Sequence, residues 1–229
     1  MSIWSRISQA LSALTTGEPL SAVFDLLRAP PERSVAFTIA VVALGAKMAK
    51  ADGRVTRDEV TAFREVFQIA REDESGAARV FDLARKDVAG FEEYALKIRG
   101  MFGEGSEMLC DLMEGLFHIA LADGVYHPEE DAFLARVAEI FGLPEARFRS
   151  LRARLVPDAE PDPYAILGVS IDTPLAEIRA AWLKLVRANH PDQLVSRGLP
   201  QEAYILAENR MASINAAWEE IESARAGKR

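Results

Sequence analysis

The sequence has few of the side chains on which most metal and redox sites depend. Its 229 residues include one cysteine, Cys110, and three histidines. A single thiol cannot form an internal disulfide, and it lacks the paired thiols of a zinc module. We therefore expect no structural zinc and a reducing environment, for which the cytoplasm is the natural location.

The sequence also has fewer basic than acidic side chains, 27 against 35, which gives a formal net charge of −8. Proteins that bind nucleic acids in general need a basic surface that displaces counterions from the phosphates. We expect no nucleic-acid partner. Any partner that is reached electrostatically must bind a local basic patch.

Long hydrophobic runs are missing as well. A membrane-spanning helix needs roughly 20 consecutive apolar residues, whereas the longest apolar run, residues 35–49, is shorter and contains Lys47. We expect this run to form a buried helix of a globular core. The first residues lack the charged region, apolar stretch and cleavage site of a signal peptide, so none is predicted.

The beginning of the chain has an amphipathic pattern. The apolar residues on one side of a predicted short helix are Ile3, Trp4, Ile7, Leu11 and Leu14. This side either packs on the protein or makes a peripheral membrane contact through residues 1–14. Helices that bind lipid usually have several basic residues on the polar face, and Arg6 is the only one here, which favours packing. The expected location is cytoplasmic, with the cytoplasmic face of the inner membrane as the alternative.

A duplicated acidic turn dominates the middle of the chain. Residues 51–59 (ADGRVTRDE) match residues 122–130 (ADGVYHPEE), and each copy lies between two apolar helical segments. The acidic residues of the two copies are Asp52, Glu59, Asp123 and Glu130. They either cap the helices that follow, with His127 at the N-cap before Pro128 in the second copy, or bind a divalent cation. The spacing lacks the alternating oxygen donors of an EF-hand loop, so we favour capping and assign no metal.

A strongly amphipathic helix is predicted from residue 178 onward. At 100° per residue, one side of it has the apolar residues Ile178, Trp182 and Leu185. The opposite side has the basic residues Arg179, Lys184 and Arg187. The usual role of such a basic row is a solvated helix face, and the alternative is a contact with an acidic partner.

Both ends of this helix are marked by proline. Thr173 before Pro174 predicts an N-cap hydroxyl followed by proline at the first helical position. Pro191 predicts the end, because the residue before a proline avoids the helical conformation. The helix therefore leads directly into the triplet His190-Pro191-Asp192, which we call the HPD loop. No serine or cysteine nucleophile and no glycine-rich phosphate loop accompanies it, so we expect no enzyme activity.

Another long helix is predicted after the HPD loop. Its apolar residues recur at spacings of three and four: Tyr204, Ala207, Met211, Ile214, Trp218 and Ile221. The run is too short for a coiled coil. We expect it to pack antiparallel against the apolar side of the preceding helix and so to hold the HPD loop in place.

Four elements of the C-terminal segment resemble a J-domain, the module by which DnaJ-type co-chaperones act on DnaK-type chaperones. Residues 162–169 (DPYAILGV) resemble its opening, and residues 177–179 (EIR) resemble the start of its second helix. The HPD loop resembles its signature, and residues 215–221 (NAAWEEI) resemble the end of its third helix. Residues 193–200 are similar to the DjlA-like subset, membrane-associated J-proteins in which the J-domain comes last.

The duplicated acidic turn resembles the TerB-like domain, an all-helical module that precedes the J-domain in DjlA-like proteins. The resemblances imply an all-α protein with a TerB-like helical bundle and a C-terminal J-domain hairpin. The expected division is an N-terminal amphipathic segment at 1–30, a TerB-like domain at 31–155, a proline-rich linker at 156–162 and a J-domain at 163–225. The stiff linker predicts that the J-domain is a separate folding unit. The chain departs from DjlA-like proteins that begin with a transmembrane helix, so membrane anchoring is not implied.

The resemblance also implies a function. A J-domain co-chaperone docks on a DnaK-type chaperone and stimulates its ATP hydrolysis. The residues expected to bind the chaperone are Arg179, Lys184, Arg187, His190, Pro191 and Asp192. ATP and magnesium belong to the partner, so no cofactor is expected, and the TerB-like domain is expected to select an unknown client or the location. The alternative is a TerB-like stress-response scaffold or metal-sensing adaptor in which the J-domain is secondary.

Overall fold

A computed structural model describes most of the chain as helices. The described residues are 3–12, 20, 23, 33–51, 74–86, 90–122, 124–156, 162–190, 193–194, 196, 199–200 and 204–226. Within these residues there is no strand. The prediction of an all-α protein is confirmed.

Seven of the described helices form the N-terminal part of the structure. They are α1 (Ile3–Ser12), α2 (Arg33–Ala51), α3 (Glu74–Lys86), α4 (Phe91–Phe102), α5 (Glu107–Ala120), α6 (Pro128–Ile140) and α7 (Glu145–Leu155). Helix α2 is central, because it packs against α1, α3, α4, α5 and α6. A helix with neighbours on all sides must be apolar all round, and residues 35–48 are all buried. The buried helix predicted for this run is confirmed.

Lys47, the charged residue of that run, is buried against an aromatic ring. Its Nζ lies 5.1 Å from the ring centroid of Tyr94 on α4. A cation over an aromatic face is stabilised by the ring quadrupole, and more strongly when it is desolvated. Lys47 is therefore accommodated within the helical bundle. None of the described helices is long and apolar enough to cross a membrane.

Helices α2 and α5 approach closely because each has a glycine at their contact. A Cβ added at Gly45 would lie 3.0 Å from Cδ1 of Ile119, and one added at Gly115 would lie 3.4 Å from Cγ1 of Val41. Larger residues at these positions would push the two helices apart. The glycines thus set the position of α5, which contributes two buried carboxylates to the site described below.

Helix α1 packs on α2 and α3. Its residues Ile7 and Leu11 are 0 % and 2 % exposed and belong to the main core. Of the two uses predicted for this apolar side, packing on the protein is the one that the structure shows for these two residues. The side chains of Ile3 and Trp4, and the whole of Leu14, lie outside the described part.

Three helices form the C-terminal part: α8 (Pro163–Leu167), α9 (Leu175–Ala188) and α10 (Tyr204–Ala226). They enclose a core of their own, made of Leu167, Ile178, Ile214, Ala217, Trp218 and Ile221. The rings of Trp182 and Trp218 stack with centroids 5.2 Å apart, and Trp182 Nε1 donates a hydrogen bond of 3.0 Å to Asn215 Oδ1. The end of α9 lies beside the start of α10, so the helices are antiparallel. The predicted hairpin is confirmed.

The opening motif of this part is a short capped helix. Asp162 is the N-cap of α8, and its side chain accepts a hydrogen bond from the Tyr164 amide at 3.0 Å. Gly168 ends the helix in the left-handed conformation, with φ of 69°, which favours glycine. Arg225 then connects the far end of α10 to the following loop by donating to the carbonyl oxygens of Thr173 and Ile171 at 2.8 and 2.6 Å.

The predicted start of α9 is wrong by one residue. Helix α9 begins at Leu175, and Pro174 instead of Thr173 is its N-cap. The Pro174 carbonyl accepts the amides of Glu177 and Ile178. The Thr173 hydroxyl is used elsewhere, because Oγ1 accepts a hydrogen bond from the Ser170 amide at 3.1 Å.

The C-terminal helices also pack against the N-terminal part, which the sequence does not predict. Helix α8 lies on α7, where Ser150 Oγ donates to the Ile166 carbonyl at 3.0 Å. The residues of the C-terminal part that belong to the main core are Leu194, Leu199, Leu206 and Ala207. The C-terminal helices therefore have their own small core and also share the larger one. Residues 157–161, within the predicted linker, lie outside the described part.

Candidate functional site

Helix α9 has one face on α10 and its basic residues in solvent. Arg179, Lys184 and Arg187, which we call the basic face, are all exposed. The opposite side is fixed by the buried Ile178 and by the Trp182 stack. The amphipathic pattern therefore leads to a rigidly held helix that presents three cations on its surface. Lys184 also lies at the wall of a groove of about 360 Å³ between α7 and α9.

His190 lies directly beyond the end of this helix. Helix α9 ends at Ala188 with Asn189 as its C-cap, and the predicted exit of His190 from the helix is confirmed. His190 is exposed. Its amide donates to the Arg187 carbonyl at 3.3 Å, and its own carbonyl accepts the amide of Gln193 at 2.9 Å. Pro191 and Asp192 lie outside the described residues, so the structure describes the HPD loop on its histidine side only.

Asn189, the residue before the HPD loop, is buried. Its Nδ2 donates to the Leu185 carbonyl at 2.7 Å, which satisfies one of the last carbonyls of α9. Its Oδ1 accepts a hydrogen bond of 2.7 Å from Nη1 of Arg210. Asn189 thus connects the end of α9 to the first turns of α10.

Arg210 is part of a buried ion network between the two parts of the structure. Its Nε donates to Glu114 Oε2 at 2.6 Å, and its Nη2 lies 2.6 Å from Asp111 Oδ1; both carboxylates are on α5. The other oxygen of Glu114 accepts a hydrogen bond of 2.6 Å from Arg154 on α7. We call these four residues the ion network. Both carboxylates are 0 % exposed, and the side chains of Arg154 and Arg210 are 5 % and 8 % exposed.

The charges of the ion network balance, since two guanidinium groups face two carboxylates. Burial alone would raise the pKa of Glu114, but Arg210 and Arg154 hold it below its ordinary value. Burial likewise would lower the pKa of Arg210, and the two carboxylates raise it instead. The network is therefore ionised at neutral pH. Removing one partner of such a pair leaves an uncompensated buried charge, which typically costs about 3–5 kcal/mol.

Two further side chains of α5 lie near the network. Burial raises the pKa of the Cys110 thiol, so this cysteine is a weak nucleophile. His118 is one helical turn beyond Glu114; burial lowers its pKa, and its Nε2 has no hydrogen-bond partner in the described part of the chain. His118 is therefore neutral.

Of the acidic repeat residues, Glu130 is the one within the described part. It is 4 % exposed, and its Oε2 accepts a hydrogen bond of 3.0 Å from the amide of His127, the N-cap of α6. This is the capping use predicted from the sequence. Asp52, Glu59 and Asp123 lie outside the described residues, and among the residues that are described no cluster of potential ligands could hold a metal ion.

The ion network is the part of the site that sequence reasoning missed. One signal was available. Arg210 lies three residues after Ala207 and four before Ile214, so it is on the apolar side predicted for α10. Asp111 and Glu114 likewise interrupt an apolar run at helical spacing. Charges on an apolar face predict a buried ion pair, although they do not identify the partner.

Comparison with known proteins supports the resemblances found in the sequence. Residues 38–153 match the family model described as Tellurite resistance protein TerB. Co-chaperone protein DjlA of Aliivibrio fischeri is 27 % identical over 227 residues, covering 83 % of this chain and 79 % of the relative. Those of Vibrio cholerae and Escherichia coli K12 are 26 % and 25 % identical, covering 83 % of this chain and 78 % and 80 % of the relatives. No solved structure matches the chain significantly. Because the TerB match spans half of its length, the chain belongs to the TerB family, and its further similarity to these co-chaperones makes it a DjlA-like protein.

Proposed function

We propose that the protein is a J-domain co-chaperone that docks on a DnaK-type chaperone and stimulates its ATP hydrolysis. The basic face of α9 makes the first contact, and the HPD loop acts at the junction that couples nucleotide hydrolysis to substrate binding. The relatives named co-chaperone protein DjlA support the family role. The alternative of a scaffold or metal-sensing adaptor is not favoured by these names.

One observation supports the proposal most directly: an exposed His190 follows an exposed basic face on a helix that is held from behind. A loop can act on a partner only if its framework is rigid. Here the Trp182–Trp218 stack and the antiparallel α10 supply that framework. The exposed His190 at the end of this framework is accessible to a partner.

Electrostatics supports the same docking mode. The whole chain has a net charge of −8, whereas α9 exposes three cations and one carboxylate, Glu177. Complementary charge accelerates association and makes it salt-dependent. We therefore assign the basic face to the encounter with an acidic surface of the chaperone.

The remaining parts of the protein have supporting roles in this proposal. The TerB-like domain selects the client or the location, and the location is cytoplasmic beside the DnaK-type partner. The protein itself hydrolyses nothing, since ATP and magnesium are bound by the chaperone.

A single-turnover ATPase assay of the DnaK-type protein from the same organism tests the proposal. Wild-type protein should accelerate hydrolysis, and His190→Gln should abolish the acceleration while leaving the melting temperature almost unchanged, since an exposed residue contributes little core energy. His127→Gln, the same substitution at the N-cap of α6 in the TerB-like domain, is the matched control. Equal acceleration by wild type and His190→Gln would contradict the assignment.

A further inference from the structure

The described residues that flank the HPD loop are linked to the TerB-like domain on both sides. Before the loop, Asn189 binds Arg210, which binds the α5 carboxylates. After the loop, Leu194 and Leu199 are 3 % and 4 % exposed and belong to the core that α2 and α5 form. We propose that α5, through Asp111 and Glu114, positions the HPD loop for the chaperone; this inference rests on the proposed co-chaperone function.

The guanidinium group of Arg210 connects α5 to the residue before the loop. A guanidinium group is planar, and its donors point in fixed directions. Arg210 contacts three different side chains: its Nε and Nη1 donate hydrogen bonds to Glu114 and Asn189, and its Nη2 makes an ion-pair contact of 2.6 Å with Asp111. Helix α5 thus holds the guanidinium group at two points, by one hydrogen bond and one ion pair. Its third donor therefore points in a direction that α5 determines.

Asn189 connects Arg210 to the loop. Asn189 is the C-cap of α9 and the residue directly before His190. Its side chain is held between the Leu185 carbonyl and Arg210. A C-cap residue sets the direction in which the chain leaves a helix. The position of Arg210 is thus transmitted to the backbone of His190 through one residue.

The contact of Arg210 with α5 is made by charged side chains, although an apolar contact is possible there. An apolar contact of similar volume would hold the two domains together equally well, and replacing buried ion pairs by apolar residues is often neutral or stabilising. Stability alone therefore does not require these four charges. A network of hydrogen-bonded ions differs from an apolar contact because it allows only one orientation, and orientation is what a presented loop needs.

A positioning role predicts a specific division of effects in the ATPase assay. The basic face is exposed and none of its residues belongs to the ion network, so the initial encounter should be intact when the network is broken. The loop would then be misaligned in the docked complex. We expect Glu114→Gln to lower the maximal stimulation by roughly fivefold, with little change in the concentration that gives half of that maximum.

Hydrogen exchange in the full-length protein provides a readout that does not depend on the chaperone. The amides of His190, Gln193 and Leu194 donate to backbone carbonyls within and beside the loop. In Glu114→Gln these amides should exchange roughly fivefold faster. The amide of Trp218, in the separate core of the C-terminal helices, should keep its wild-type rate.

Two matched variants control for a general loss of stability. Val137→Ala removes buried volume from α6, a helix of the TerB-like domain that contributes no residue to the ion network, and it should leave both the loop amides and the maximal stimulation unchanged. Asn189→Ala retains all four ions and removes the two hydrogen bonds of this side chain, to Arg210 and to the Leu185 carbonyl. It should reproduce the effects of Glu114→Gln on the loop amides at a smaller cost in stability, because every buried charge keeps its counterion, and this keeps the test decisive if Glu114→Gln fails to fold.

The possible results separate this inference from the proposed function. If wild-type protein stimulates and Asn189→Ala stimulates equally, with unchanged loop amides, the positioning role is wrong although the co-chaperone function stands. If wild-type protein does not stimulate, the proposed function fails, and the exchange rates still decide whether α5 holds the loop. Faster exchange at His190 and Trp218 alike would show a general loosening and would also overturn the inference.

Discussion

Replacing Arg210 with Met should destabilise the protein strongly at neutral pH. Met retains an unbranched apolar stem but removes the guanidinium group, so the buried carboxylates of Asp111 and Glu114 keep Arg154 as the remaining cation of the network. Loss of one partner from a buried ion pair typically costs about 3–5 kcal/mol. We expect the free energy of unfolding, measured by urea denaturation at pH 7, to fall by an amount in this range.

The size of this loss should depend on pH through Glu114. In the wild type the pKa of Glu114 is held below its ordinary value. Ionised Glu114 therefore stabilises the fold fully above the unfolded-state pKa of about 4.3. This stabilisation is lost as the pH falls through the lower pKa of the folded state. Without Arg210, burial raises the pKa of Glu114 with less opposition. The difference between variant and wild type should therefore be largest at neutral pH and narrow below about pH 5.

The double variant Arg210→Met/Glu114→Gln tests the charge argument itself. It removes one positive and one negative charge, so the net charge of the network stays zero. The double variant should lose less stability than the sum of the two single variants, with a coupling energy of at least about 1.5 kcal/mol. Additive losses, or a loss for Arg210→Met that is the same at pH 7 and pH 5, would refute the reasoning.

Two other predictions follow from the exposed and capping residues. Lys184→Glu should slow association with the DnaK-type chaperone and make the association rate less dependent on salt, measured by stopped-flow at two ionic strengths. Lys97→Glu on α4, the control, should change neither. An unaltered salt dependence in Lys184→Glu would show that Lys184 is not part of the docking face. Glu130→Gln should cost less than about 0.5 kcal/mol, because Gln can still accept the capping hydrogen bond from the His127 amide. Micromolar calcium or zinc should leave the melting temperature unchanged. A bound metal at a hundredfold excess over its dissociation constant would instead stabilise the protein by roughly 2.7 kcal/mol. If such a stabilisation were seen and Glu130→Gln abolished it, the Glu130 carboxylate would be a metal ligand.

The local features of the site could be predicted because they depend on neighbouring residues. Helix α9 ends at Ala188, shortly before Pro191 in the sequence, and residues of the predicted apolar side of α9 face α10. The N-cap position of His127 depends on the proline that follows it. In each case the signal and the structure lie within one or two helical turns, where steric and hydrogen-bonding preferences dominate.

Other features could not be predicted because they depend on contacts distant in sequence. Arg210 and Glu114 are 96 residues apart, and each taken alone is simply a charge on an apolar face. Which charge neutralises which is decided by the packing of α8 on α7 and of α10 on α5. The start of α9 was misplaced for a related reason, since the Thr173 hydroxyl is used by the Ser170 amide and is not available as a cap.

The domain contact also determines which cations the C-terminal helices can offer to a partner. Arg210 is withdrawn from solvent because α5 neutralises it, whereas Arg179, Lys184 and Arg187 stay exposed. If the C-terminal helices were a freely tethered unit, Arg210 would be one more surface cation, and Asn189 would have no fixed donor. Docking on the TerB-like domain therefore does two things with one side chain. It removes Arg210 from the positive surface, and it fixes the residue from which the HPD loop begins.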